Sequence, residues 1–168
     1  MSNLDNLIKE CKRQEESCLY TSTTLYIWLR KARLWRAVFV ITPIIFGSIA
    51  SWSILEKPDI LWMVWLTASS GLFAGLIPAI REALNLDIHV DEISQHAAQF
   101  KNLQDRFRLA SDTGSLKPIE NFEAEIRDLI ERLDEARKIS ITPPERCFKA
   151  ARKKIKEGHY DFSIDKND

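Results

Sequence analysis

The chain has 168 residues, 24 of them Lys or Arg and 24 Asp or Glu, so its formal charge is zero and gives no bias toward nucleic acid as a partner. The charge is unevenly spread. Between Arg36 and Arg81 the only charged residues stand in one break, Glu56-Lys57-Pro58-Asp59, which excludes an ordinary soluble domain built of amphipathic helices.

Residues 1–36 carry seven basic and four acidic side chains and read as one helix. Leu4, Ile8, Cys11, Glu15, Cys18, Ser22, Leu25, Leu29 and Ala32 recur in steps of four and three, a coiled-coil-like stripe weakened in its middle by Glu15 and Ser22. No Gly or Pro precedes Pro43, so the helix is expected to run directly into the apolar segment that follows. Cys11 and Cys18 are about 10 Å apart by helical rise, too far to bond each other. With Cys147 they form an odd set lacking C-x-x-C spacing, which reads as free thiols on the reducing side of a membrane.

Residues 37–80 form the expected transmembrane hairpin. AVFVITPIIFGSIASWSIL covers 37–55 and ILWMVWLTASSGLFAGLIPAI covers 60–80, each approaching the roughly 20 apolar residues that one helix needs to cross a hydrocarbon core. The short break forces the spans antiparallel, so both chain ends lie on one side. Arg30, Lys31, Arg33 and Arg36 before the first span, and Arg81 after the second, place that side in the cytoplasm and the turn outside. Trp35 falls at the inner boundary, while Trp52, Trp62 and Trp65 fall toward the turn, where indole rings suit the headgroup region.

Small residues mark the spans. Gly71 and Gly75 form a G-x-x-x-G, and Gly47 with Ser51 is its counterpart on the first span. Such residues allow close backbone approach, either inside the hairpin or between hairpins of an oligomer, and packing inside the hairpin is the simpler expectation. Ser48, Ser51 and Thr67 supply hydroxyls that would line a pore between several hairpins, although Ser and Thr in membrane helices also bond their own backbone. No ionisable residue interrupts either span, which argues against a proton- or ion-coupled carrier.

Residues 81–139 are acidic, with thirteen Asp or Glu against nine Lys or Arg, and read as a cytoplasmic helical hairpin. A helix from about Arg81 to Ala110 presents Leu86, Val90, Ile93, Ala97, Phe100, Leu103, Phe107 and Ala110 on one face. Gly114 and Pro118 punctuate the loop 111–118, and a further helix presents Phe122, Ile126, Leu129, Ile130, Leu133 and Ala136. Packing within one chain as a cytoplasmic helical bundle, or between chains as a coiled coil, satisfies these faces equally well. His89, Glu92 and His96 share a helical face at i, i+3 and i+7. A solvated polar face explains the same residues, so that is the reading taken, and no metal is expected.

Residues 140–168 hold a basic C-terminal helix and a polar tail. Thr142 is the expected cap, Pro143 the first turn and Gly158 the stop. Arg146, Lys149, Arg152, Lys153, Lys154 and Lys156 surround a small apolar face of Phe148, Ala151 and Ile155. That basic surface suits anionic lipid or the acids Glu120, Glu123, Glu125, Asp128 and Glu131, and the nearby acids favour packing on their helix. The fold class is thus an all-α membrane protein. No phosphate loop, Ser/His/Asp pattern or H-E-x-x-H is present, so neither catalytic residues nor a cofactor are expected and the chain does not read as an enzyme.

The layout of YIWLRKARLWR (26–36), the hairpin, HAAQFKNLQDRFRLA (96–110) and PPERCFKAARKKIKEGHYDF (143–162) resembles the SLATT domains, two-span effectors associated with SMODS nucleotidyltransferases and SLOG sensors in prokaryotic conflict systems. The resemblance implies a non-enzymatic anti-phage effector of the bacterial cytoplasmic membrane that homo-oligomerises and perturbs the lipid bilayer once an upstream sensor or nucleotide-signal synthetase fires. No sensor, nucleotidyltransferase or nuclease accompanies the spans here, so activation would come through a separate protein or a small signal bound by the cytoplasmic helices. The competing expectation is a passive anchor or scaffold recruiting a soluble partner. A holin-like role is disfavoured, because lysis does not need cytoplasmic helices this long.

Overall fold

The computed structural model describes residues 3–55, 61–83 and 86–159. All of its regular elements are helical: α1 (Asn3–Leu55), α2 (Leu61–Ala83), α3 (Leu86–Thr113), α4 (Ile119–Ile139) and α5 (Glu145–Lys156), with a single 3-10 turn at Gly114–Leu116. No strand occurs among the described residues. The helices fall into two compact units. One takes the described residues up to Leu29 and from Glu92, the other those of Arg30–Asp91, and α1 contributes to both.

The first unit is built on the stripes that the sequence displays. Cys11, Cys18 and Leu25 of α1 meet Ala97, Phe100, Leu103, Phe107 and Ala110 of α3 and Phe122, Ile126, Leu129, Leu133 and Ala136 of α4 in one core cluster. The cluster mixes small side chains, Cys11, Cys18, Ala97, Ala110 and Ala136, with the large Phe100, Phe107 and Phe122, as close packing of three helices requires. Asn3 donates to Glu123 at 3.1 Å and Arg137 donates to Gln14 at 3.2 Å. Advancing along α1 therefore matches advancing along α4, so the two run parallel, and α3, joined to α4 by residues 114–118, runs against them. The apolar faces are thus satisfied within one chain, and Phe100 and Phe107 have no surface left for a partner. Ser22 of the α1 stripe is buried, as are its neighbours Thr23 and Thr24. Ser22 donates to the Leu19 carbonyl and Thr24 to that of Tyr20, which removes the cost of burying those two hydroxyls.

Three boundaries differ from the sequence reading. Arg81 closes α2 rather than opening the next helix, and α3 extends past Ala110 to Thr113, with Ser111 buried and bonded to the Arg108 carbonyl. At α5 the N-cap is Pro144, not Thr142, and no side chain caps the helix; Cys147 and Phe148 donate backbone bonds to the Pro144 carbonyl instead. Gly158 does end α5. It adopts φ 74° and donates to Ile155 while His159 donates to Lys154, a Schellman closure that needs the left-handed conformation glycine allows.

The place of α5 is a further correction. It rests on α1 rather than on the acidic helix α4. Cys147 and Ala151 pack with Ile27, Trp28 and Ala150, and the Phe148 ring lies 6.5 Å from that of Tyr20. Phe148, expected to face inward, is half exposed, and Cys147 takes the buried position.

Candidate functional site on the apolar hairpin

The second unit contains the two helices that are long and apolar enough to cross a membrane. Of their most apolar windows, 0% and 6% are buried inside the protein, whereas the core helix of a soluble domain is mostly buried. Both are continuous through a proline. Pro43 and Pro78 lack the N–H that would bond the carbonyls of Phe39 and Ala74, a loss that membrane helices tolerate where neighbours or water compensate.

The helices meet along a definable seam. The rings of Phe46 and Phe73 lie 5.5 Å apart. With that contact, a parallel arrangement would separate Leu55 from Leu61 by about 30 Å, further than the roughly 21 Å that six peptide units reach, so the pair is antiparallel. The covered positions on α2 are Thr67, Ser70, Ala74, Ile77 and Arg81, in steps of three and four. Those on α1 include Arg36, Phe39, Thr42, Pro43, Phe46, Gly47 and Ala50. Ser70 is 2% exposed, the one fully buried residue of α2 among those described. Small Ser, Thr and Ala side chains thus carry the close approach, with Phe39, Phe46 and Ile77 filling the remainder.

Of the glycines singled out from the sequence, Gly47 lies half-covered at the seam and none is closely packed. A β-carbon built on Gly47, Gly71 or Gly75 meets nothing within 4 Å, and Gly71, Gly75 and Ser51 are exposed. No atom of the described residues closes on these three glycines as close packing inside the hairpin, the simpler expectation for this motif, would have it. At four-residue steps Thr67, Gly71, Gly75 and Ala79 form a stripe beside the seam, running from the half-covered Thr67 to exposed Ala79. The seam itself was legible in principle, since Ser70, Ala74 and Ile77 already show helical spacing, but G-x-x-x-G is the more conspicuous pattern.

The three hydroxyl residues do not share one face. Ser48 and Ser51 point outward and donate to the Ile44 and Gly47 carbonyls at 2.8 and 2.9 Å, whereas Thr67 lies half-covered at the seam. Trp35, Trp52, Trp62 and Trp65 are all exposed, as side chains suited to a headgroup region would be. The break at 56–59, with Lys57, lies outside the described residues, as does the tail from Tyr160 onward.

On the first unit, the basic residues of α5 are exposed apart from half-buried Lys154. Lys149 pairs with Glu145 at 2.8 Å and Lys153 with Glu157 at 3.7 Å, both at the surface and worth little. Three of the α4 acids are engaged elsewhere: Glu123 by Asn3, Glu125 by Lys117 and Asp128 by Arg132. All three cysteines are free and buried, and burial pushes the Cys11 and Cys18 thiols up to about 11. Among the described residues no group of three or more His, Cys, Asp or Glu could hold a metal ion, and His89 and Glu92 are exposed. No family model matches the chain, and neither the curated proteins nor the solved structures contain a match to it.

Proposed function

We propose that this chain is a two-pass protein of the bacterial cytoplasmic membrane, with both termini in the cytoplasm, acting as a non-enzymatic effector whose hairpins associate and permeabilise the bilayer. The membrane assignment is supported by energetics. The large apolar side chains exposed between Leu34 and Ile80 would each cost roughly 1 kcal/mol in water when half exposed. Their sum rivals the ~5–15 kcal/mol by which domains are stable, whereas hydrocarbon removes the cost.

The observation that carries the effector reading is the outward Gly71–Gly75 stripe, which none of the described residues fills. Close helix contact is the use to which lipid-exposed small residues are suited, and a second hairpin is the partner available in the bilayer. The resemblance to SLATT domains supplies the biological setting, an anti-phage response triggered by a separate sensor or nucleotide signal.

Leucine substitution gives a clean test, because the added side chain meets open space within the chain. Gly71→Leu and Gly75→Leu leave insertion and the melting of the first unit unchanged but reduce crosslinked oligomer and abolish depolarisation of overproducing cells, read with a membrane-potential dye. A protein that is expressed and inserted yet never dissipates the potential is instead an anchor. That second reading draws on Ser48 and Ser51, whose hydroxyls are already committed to their own helix rather than to water.

A further inference from the structure

α5 turns one side to α1 and leaves a compact charged face opposite. Taking 100° per residue, the buried Cys147 and Ala151 lie about 40° apart. Arg146, Lys149, Arg152, Lys153 and Lys156 all fall within an arc of about 120° centred on the opposite side, and all five are exposed. From 145 to 157 there are six basic residues and two acids. Glu145 and Glu157 pair with Lys149 and Lys153 at the surface, leaving a net charge of four positive on this helix. Phe148 flanks the arc with its ring 46% exposed. A half-exposed aromatic beside clustered Lys and Arg is the composition of helices that lie on anionic lipid.

We propose that this face of α5 binds anionic phospholipid headgroups of the bilayer that holds the hairpin, making α5 a second, peripheral attachment point. The proposal rests on the membrane reading given above. Two further observations select this occupant. Three acids of α4, Glu123, Glu125 and Asp128, are engaged by Asn3, Lys117 and Arg132, and α4 makes no ion pair with α5 among the described residues, so the basic face is not neutralised there. The helix is also tethered: it packs on Ile27 and Trp28, and ten residues of chain separate Ile27 from Ala37, where the first uncharged span begins. Ten residues reach at most about 35 Å, a bound that holds for any arrangement of the two units. A tether that short gives the basic face a high effective concentration of membrane surface, which no freely diffusing acidic partner matches. Each Lys or Arg brought to an anionic surface strengthens attachment roughly fivefold, within a Debye length of the charge.

The test uses the full chain in lipid nanodiscs, either phosphatidylcholine alone or with about a third phosphatidylglycerol. A nitroxide on Glu145→Cys sits inside the basic arc, and one on Glu131→Cys of α4 serves as the reference; the native thiols are buried and do not take the label. Collisions of the position-145 label with a water-soluble nickel complex should fall at least about threefold in the anionic discs, with position 131 unchanged, and should recover in high salt. Arg152→Glu, Lys153→Glu and Lys156→Glu together should remove the effect. Insertion is read separately from quenching of Trp62 and Trp65 by brominated lipid chains. An inserted hairpin with equal accessibility in both lipids overturns the α5 proposal alone. Absent quenching overturns the membrane reading and this proposal with it. Shielding that arises only on adding RNA or an acidic peptide means that the face has a different partner, and likewise overturns it.

Discussion

A β-carbon on Gly114 would lie 2.5 Å from Cζ of Phe122 and 2.9 Å from its two Cε atoms, and that ring is fully buried. Glycine is required there by space, since its φ is not left-handed. Gly114→Ala is expected to cost about 1–3 kcal/mol by overpacking. Phe122→Leu shortens the side chain that blocks it, so in thermal melts the double variant should be less destabilised than the two single costs summed. The buried thiols give a second prediction at this scale. Burial raises Cys11, helped by Glu125 and then Glu10, and raises Cys18 against the opposing pull of Arg137, both to about 11 from 9.0. Between those values the unfolded chain releases protons that the folded chain keeps, so the thiols' contribution is intact below pH 9 and stability falls as pH rises through about 9 to 11. Denaturant titrations across that range should show the decline, and replacing both cysteines by Ala should flatten it. At neutral pH both thiols should stay silent to thiol reagents until the protein unfolds.

At the scale of elements, the apolar stripes of α1, α3 and α4 were readable because helical periodicity follows directly from residue order. Their partners were not. Whether Phe100 and Phe107 meet α1 and α4 of the same chain or of another depends on how short connections bring the helices back, and here residues 114–118 return α4 alongside α3. The consequence is specific. Phe107→Asp places a charge in a fully buried site and should cost more than about 4 kcal/mol, a large part of a domain's stability. Circular dichroism should register unfolding of the first unit, rather than dissociation of an otherwise folded oligomer. Helix ends were less legible than faces. Gly158 was, because a left-handed closure singles out glycine; the start of α5 was not, because Pro144 takes the cap with no side-chain bond to announce it.

For the molecule as a whole, the proposed topology rests on charge. Arg30, Lys31, Arg33 and Arg36 stand against a single basic residue between the spans, which under the Lys/Arg bias would put both termini of a two-pass protein in the cytoplasm. Lys57→Cys should therefore be labelled by a membrane-impermeant maleimide in intact spheroplasts, with the buried native thiols silent. Labelling only after lysis would reverse the orientation.

The sequence by itself determined the helical class, two spans long and apolar enough to cross a membrane, the core faces of three helices and the absence of a disulfide between Cys11 and Cys18. Each of these depends on the order and character of neighbouring residues, which the chain states outright. Only the tertiary structure decided which faces meet. It set α5 on α1 rather than on the acidic α4, because Cys147 and Ala151 fit beside Ile27 where surface ion pairs offer little energy. It also gave the hairpin seam to Ser70, Ala74 and Ile77 and turned Gly71 and Gly75 outward. A motif that permits close contact fixes neither the partner nor the rotation of the helix about its axis, and that rotation is set by the sum of all contacts along the seam.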